Sequence, residues 1–328
     1  MKPRLFITQP VFPEHEALLA EHFELTINRE DDHVLEPAAI RRGLAGCAYL
    51  FCRLGDPVDA SVIEAAPALS CIATMASRPS HIDLAAAERR HIAVLVRQNS
   101  RDGLPSADNT PDTADLTFAL LLALARRIIP GDQGMRRGEF PGPQSHRYAG
   151  LAVTGASLGL IGMGAVARHM VRRALGFDMR VSYWSRSRKE DVEQQYDIAY
   201  QPLDELLATS DIVSLHINSS PKTRHFLGRE RLALMKPEAI LVNTARGELV
   251  DQEALFEALR AGRLAGAGLD VFEGEPHPSL PQDLVGSPRL VVTPHLGSAV
   301  KSKRLIMERV VCLNLIDHVS GRGQPEGS

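Results

Sequence analysis

Residues 157–184, SLGLIGMGAVARHMVRRALGFDMRVSYW, constrain the fold more than any other stretch. An apolar run of strand length (157–161) leads into Gly162-x-Gly164-x-x-Ala167. A helical spacing of apolar residues follows over 165–176, and a second apolar strand over 179–184. A glycine triplet alone is a weak signal. Placed between a strand and a helix, with a second strand behind, it predicts a dinucleotide-binding βαβ unit. The first glycine makes the tight turn. The second lets the backbone approach a pyrophosphate at the helix N-terminus, where free N–H groups and the helix dipole favour an anion. The third position needs only a small residue, and Ala167 serves. Met163, Ala165 and Val166 complete this predicted cofactor loop. A βαβ turn without a ligand has the same outline, and the full context weighs against it.

The rest of the chain repeats the alternation. Strand candidates lie at 4–8, 47–52, 70–74 and 91–96, then at 157–161, 179–184, 211–215, 239–243, 266–270 and 289–293. Helical patterns lie between them at 58–66, 83–90, 165–176, 203–209 and 251–261. Continuous apolar strands alternating with helices mean parallel sheets covered on both faces. Two such sets predict an α/β protein of two doubly wound parallel-sheet domains, and 328 residues give room for both. The longest helical pattern, 113–129, follows Pro111 and joins the sets. The polar stretch 97–112 reads as a hinge or an active-site rim, 136–150 as irregular, and 320–328 as a disordered tail.

Composition excludes several classes. A net charge of -3 gives no reason to expect nucleic acid or an anionic membrane as partner. No apolar run reaches the length of a membrane helix, and the first residues lack a signal-peptide core. Cys47, Cys52, Cys71 and Cys312 have neither C-x-x-C spacing nor a histidine cluster nearby. They read as reduced core thiols, with no disulfide frame and no metal site, and a cytoplasmic location is the expectation.

The second strand of the βαβ unit runs into VSYWSRSRK, residues 181–189. In such a site this strand ends at the adenosine ribose. NAD sites place Asp or Glu there, about 20 residues past the glycines, to accept from the ribose hydroxyls. Here the position is Ser185, followed by Arg186 and Ser187. A carboxylate would repel a ribose 2′-phosphate, whereas serine and arginine can donate to one. The pattern favours NADP, with NAD as the alternative. Arg186 and Ser185 carry that reading; Arg188 and Lys189 can equally be solvated charges.

Three further groups follow predicted strands. Arg246 comes just after 239–243, Asp270 and Glu275 after 266–270, and His295 after 289–293. Ligands of open parallel sheets bind outside the carboxyl ends of strands, so these residues are expected to converge there. Their chemistry fits hydride transfer to a 2-oxo acid. Arginine clamps a carboxylate and carbonyl. Histidine can protonate the developing alkoxide near neutral pH. A neighbouring carboxylate orients the imidazole and stabilises its charged form. Each residue alone has a plain structural reading: a helix cap, a loop acid, a histidine after a proline.

Four blocks in order, GLIGMGAVA, LVNTARGELVD, GLDVFEGEP and VTPHLGSA, resemble the signatures of the D-isomer-specific 2-hydroxyacid dehydrogenases. The likeness is strong over 113–300 and weaker over 45–94. It implies a flavodoxin-like substrate domain from 1–106 and 300–328, a Rossmann cofactor domain over 107–299, and a cleft between them. It implies Arg246 as substrate clamp, His295 as acid/base and Glu275 as its partner. It adds Asp270, Thr113, His216, Thr244 and Ala245 to the cofactor-binding set, and it implies a homodimer acting on a small 2-oxo or 2-hydroxy acid. Within the family, Ser-Arg after the second strand resembles the NADP-using glyoxylate/hydroxypyruvate reductase branch.

The chain departs from the pattern in three places. TMASRPSHID, 74–83, stands where the family has a Gly-x-Gly-x-Asp loop, and Pro79 cannot donate a backbone N–H. Ser77 and Arg78 are therefore assigned to the substrate as well, with a merely structural loop as the alternative; His81 reads as a surface or packing histidine. The stretch between Val94 and Asp112 is longer than usual, and Asn218-Ser219 replace a usual Pro-Leu. Two rival functions stay open: an NAD-dependent dehydrogenase of a bulkier 2-hydroxy acid, and a dinucleotide-sensing protein like the family's corepressors.

Overall fold

The computed structural model describes residues 1–322 except 31–32, 77–78, 100 and 144. The chain forms two compact units, Met1–Asp108 with the segment from Val300 onward, and Asn109–Ala299. Each is a parallel α/β sandwich.

The first unit holds β1 (Arg4–Ile7), α1 (Pro13–Ala20), β2 (Glu24–Ile27), α2 (Pro37–Gly43), β3 (Tyr49–Cys52), α3 (Ala60–Glu64), β4 (Cys71–Thr74), α4 (Leu84–Arg89) and β5 (Ala93–Leu95). Its sheet order is β2-β1-β3-β4-β5, all parallel. This is the flavodoxin-like order, reversing between β1 and β3. β3 and β4 are buried at every residue, because helices cover both faces. Ile40, Val62, Ile63, Ala86 and Ala87 from α2, α3 and α4 pack on one face.

The second unit holds α5 (Thr110–Ala125), α6 (Ile128–Arg136), β6 (Ser157–Ile161), α7 (Ala165–Gly176), β7 (Arg180–Trp184), α8 (Glu190–Tyr196), β8 (Ala199–Tyr200), α9 (Leu203–Thr209), β9 (Ile212–Leu215), α10 (Arg229–Leu234), β10 (Ile240–Asn243), α11 (Gln252–Arg260), β11 (Gly266–Leu269) and β12 (Leu290–Val292). Its sheet order is β12-β11-β10-β9-β6-β7-β8, again all parallel. The order reverses between β6 and β9, so the ligand crevice of a doubly wound sheet belongs at their carboxyl ends. α5 and α7 contribute to one core layer, and α9, α10 and α11 to the other. Gly268 lets α5 lie close on β11: a Cβ there would sit 3.1 Å from Leu120 Cβ.

The joining helix differs from the sequence reading. α5 begins at Thr110, because Pro111 is tolerated in a first turn. It stops at Ala125, where Arg127 turns left-handed (φ 53°), and α6 restarts the helix. The stretch 97–112, read as hinge or rim, divides: its last residues open α5, while the described residues up to Asp108 belong to the first unit and are fastened there. Arg97 donates to Ala107 O (2.8 Å), Arg101 pairs with Asp317 and Lys303 donates to Ser106 O (3.2 Å).

The last helix, α12 (Lys301–Val319), returns to the first unit. Its Val311, Cys312, Leu315 and Ile316 cover the remaining face of that sheet over Leu5, Ile7, Phe51 and Ala73. A buried pair, His15 Nδ1 to Glu308 Oε1 at 2.6 Å, fixes it to α1. All four cysteines are free and buried. No described helix is long and apolar enough to cross a membrane. The tail beyond Arg322 lies outside the described residues.

Candidate active site

The site assembles at the carboxyl edge of the second sheet. Gly162 follows β6 with φ 103°, and a Cβ there would lie 2.4 Å from His216 O. Only glycine fits that turn. Gly164 differs: its φ is an ordinary −86°, and a Cβ would meet nothing within 4 Å. The backbone at Gly164 therefore borders open space, at the head of α7. Among the described residues no side chain caps that helix, so its first N–H groups stay available to an anion. Ala167 is fully buried in the helix–sheet contact. These residues fit a dinucleotide pyrophosphate. His216 sits across the turn, its Nε2 2.9 Å from Ser214 Oγ. Loss of water around the ring holds its imidazole below the ordinary value.

At the end of β7 the position of the NAD-type carboxylate is taken by Ser185. The Ser185 hydroxyl donates to Ser187 O at 2.6 Å, so its hydrogen is already used within the turn. Arg188 is held by Glu193 through three contacts of 2.6–3.0 Å. Arg186 and the Ser187 hydroxyl are exposed and have no side-chain partner among the described residues. Thus the cationic run divides into one committed arginine and one open one.

Asn243 ends β10 and shapes the next turn. Its Oδ1 accepts from Ala245 N (3.0 Å) and its Nδ2 donates to Arg246 O (2.8 Å). Thr244 is buried, with its hydroxyl 2.8 Å from that of Thr117. Arg246 is left exposed, and among the described residues its side chain donates only to the carbonyl of Ala245 beside it (2.6 Å). Gly247 is buried under the next loop, where a Cβ would fall 1.9 Å from Phe272 C. That close approach ties the Arg246 turn to the segment carrying Glu275.

Asp270 follows β11 and is 1% exposed. It was expected at the cofactor, and both its oxygens are occupied by the next loop. Oδ1 accepts from the Thr293 hydroxyl (2.6 Å) and Leu296 N (2.6 Å), and Oδ2 from Gly297 N (2.9 Å). Burial nonetheless raises its pKa above the ordinary value. Asp270 O also accepts from His295 N at 3.0 Å. The loop after β12 is thus built around Asp270, and Thr113 supports it from α5 by donating to Gly297 O (3.1 Å). His295 occupies a left-handed conformation (φ 55°), imposed by these bonds.

Glu275 and His295 meet at this edge. His295 Nδ1 lies 2.8 Å from Glu275 Oε2, and Glu275 Oε1 accepts from Phe272 N at 2.8 Å. A carboxylate can only accept, so the ring proton sits on Nδ1. Nε2 has no partner among the described residues and keeps a lone pair or a proton for a ligand. The ring is neither buried nor fully exposed, with a side-chain exposure of 34%.

A family model described as the NAD-binding domain of D-isomer specific 2-hydroxyacid dehydrogenases matches residues 118–297. The chain belongs to this family. A glyoxylate reductase of Korarchaeum cryptofilum is 41% identical over 99% of this chain and 95% of its own length. One of Thermococcus onnurineus is 40% identical over the same shares. Among solved structures, the TT0316 protein of Thermus thermophilus superposes with a TM-score of 0.84 at 39% identity, covering 98% of each chain. The dehydrogenase is therefore an oxidoreductase that uses a nicotinamide dinucleotide and a small-molecule substrate.

Of the residues predicted for this dehydrogenase's site, the glycine loop, Ser185–Ser187, Thr244–Arg246, Asp270, Glu275 and His295 all lie at the carboxyl edge of one sheet. Ser77 and Arg78 lie outside the described residues. His81 is a packing residue of the first unit, its Nε2 near Thr74 Oγ1 (3.3 Å) and Cys52 Sγ (3.7 Å). Asn243, Gly247 and Glu193 escaped the sequence reading. Asn243 and Gly247 stand inside the block that displays Arg246, and their adjacency was the available signal. Glu193 gave none.

Proposed function

We propose that this dehydrogenase reduces a small 2-oxo acid of the glyoxylate or hydroxypyruvate kind to the D-2-hydroxy acid, with NADPH preferred over NADH. The observation that carries the chemistry is the imidazole of His295, held at Nδ1 by Glu275 and open at Nε2. A bound nicotinamide supplies the hydride to the carbonyl carbon. His295 Nε2 gives its proton to the carbonyl oxygen as charge develops there, and Glu275 keeps the ring oriented while it does so. Arg246, exposed on its own turn, grips the substrate carboxylate. The names of the relatives support glyoxylate as the substrate class. The first unit serves as the substrate domain in this reading. A homodimer would cover the exposed apolar side chains Ile128, Ile129, Met135 and Phe140.

The preference for NADPH rests on the end of β7, where Arg186 is open and Ser185 stands at the position of the NAD-type carboxylate. The test is a panel of 2-oxo acids with each reduced cofactor, followed by absorbance, on the wild type and on Arg186→Glu. A charge-assisted contact of roughly 1.5–3 kcal/mol corresponds to about a 10–150-fold fall in the NADPH/NADH ratio of kcat/KM. An unmoved ratio refutes the phosphate reading. Tight dinucleotide binding without turnover on any 2-oxo acid favours the sensing alternative.

A further inference from the structure

The turn after β7 is built around a hydroxyl. Tyr183 is fully buried on β7, and its OH does two things at once. It donates to Glu193 Oε1 at 2.6 Å and accepts from Lys189 N at 2.5 Å. Burial and the bond to Glu193 push this phenol up to about 12, so it stays a neutral donor. Glu193, on α8, spends its other contacts on Arg188, reaching Nε with both oxygens and a terminal nitrogen with one. The Glu193 side chain is 12% exposed while that of Arg188 is 60% exposed. An ordinary surface pair shows two mobile partners. Here the carboxylate is covered and anchored to a core tyrosine.

The consequence falls on residues 185–189. The strand end is tied to the helix start at Lys189 N, and Arg188 is drawn toward α8. The Ser185–Ser187 bond closes the remaining span. Arg186 is the arginine left over at the tip.

We propose that Tyr183 and Glu193 are positioning residues for recognition of the cofactor's 2′-phosphate, holding the 185–189 turn so that Arg186, and not Arg188, is presented to it. This rests on the NADPH reading above. The two arginines of the run thereby have different duties. Arg188 is spent on the shape of the turn, and Arg186 on the ligand. Neither residue is a catalytic residue, since neither touches the reacting atoms.

The test measures binding of 2′,5′-ADP and of 5′-ADP to the full-length protein by calorimetry. The variants are Tyr183→Phe, Glu193→Gln and Arg188→Met. The wild type should bind 2′,5′-ADP more tightly. In each variant the advantage of 2′,5′-ADP over 5′-ADP should fall by about three- to tenfold, while 5′-ADP itself stays within about twofold, on the scale of one lost hydrogen bond. A purely structural role would lower the melting temperature and leave that ratio alone. Retained 5′-ADP binding reports folding; if Tyr183→Phe fails that check, Glu193→Gln and the exposed Arg188→Met decide.

Three outcomes overturn the proposal. The ratio may stay fixed in every folded variant while Arg186→Glu abolishes the preference; the NADPH reading then survives and only the positioning role falls. Glu193→Gln may tighten 2′,5′-ADP, making Arg188 a ligand that Glu193 withholds. The wild type may show no preference for 2′,5′-ADP, and then both readings fall together.

Discussion

Replacing Gly247 by alanine isolates the contact that joins the two halves of the site. A Cβ at Gly247 would stand 1.9 Å from Phe272 C, 2.1 Å from Phe272 O and 2.4 Å from Glu273 N. All three are backbone atoms, so no side chain can swing away. Ordinary contact begins near 3.4 Å, and the gap must open by more than 1 Å. Overpacking of this kind costs about 1–3 kcal/mol. The larger effect is geometric. Arg246 precedes Gly247, and Glu275 follows the displaced peptide by two residues, so the shift separates the clamp from the Glu275–His295 pair. A displacement of about 1 Å can cost on the order of 100-fold in rate. The assay compares kcat/KM for glyoxylate with the dissociation constant for NADPH, read from its fluorescence. The expected result is a loss near 100-fold in kcat/KM, with dinucleotide affinity within a few-fold, because the Gly162–Gly164 turn is a separate element. A variant within threefold of wild type in kcat/KM would refute the reasoning.

Gly164→Ala should behave in the opposite way. Its added methyl meets no protein atom within 4 Å, so thermal stability should hold, while dinucleotide affinity falls at least tenfold as the methyl intrudes on the pyrophosphate; unchanged affinity would remove the phosphate from this loop. Asp211→Asn probes the opposite edge of the same sheet. There burial opposes ionisation of Asp211, but Lys236 and the N–H and hydroxyl of Ser157 outweigh it and push the carboxyl down to about 2 from 3.8. A depressed carboxylate contributes stability that is complete above its unfolded pKa and is lost as pH falls through the folded one. The melting-temperature deficit of the variant should therefore be full at neutral pH and shrink between about pH 4 and pH 2, and a deficit that stays constant over that window would contradict the assignment.

The β6–α7–β7 unit was legible because every level agreed: apolar runs of strand length, a glycine turn, and helical spacing between them. β2 and β8 were not. β2 is an edge strand with no fully buried residue, and β8 has only two residues, so neither leaves an apolar run to read. α12 escaped for another reason. Its buried face includes Glu308 and Asn314, which interrupt the apolar period, and their partners His15 and Val96 lie some 200–300 residues away in sequence. At the site, Arg246, Glu275 and His295 could be read as reactive residues after strands. The duties of Asp270, Asn243 and Glu193 could not, because they depend on which way a side chain turns. Ser185 shows the same limit: its place in the sequence says it can donate to a phosphate, and only the structure shows its hydrogen already committed to Ser187.

The return of α12 to the first unit has a consequence for synthesis. The face formed by Leu5, Ile7, Phe51 and Ala73 receives Val311, Cys312, Leu315 and Ile316 only after the whole second unit has been made. The intervening Asn109–Ala299 span is about 190 residues, which a ribosome translates in roughly 10–40 s at about 5–20 residues per second. Throughout that interval the earlier sheet keeps one apolar face uncovered, and only at its end does the second unit have its complete sequence and close. A nascent chain of this dehydrogenase should therefore be most prone to aggregation, and most dependent on a chaperone, between the emergence of β5 and that of α12.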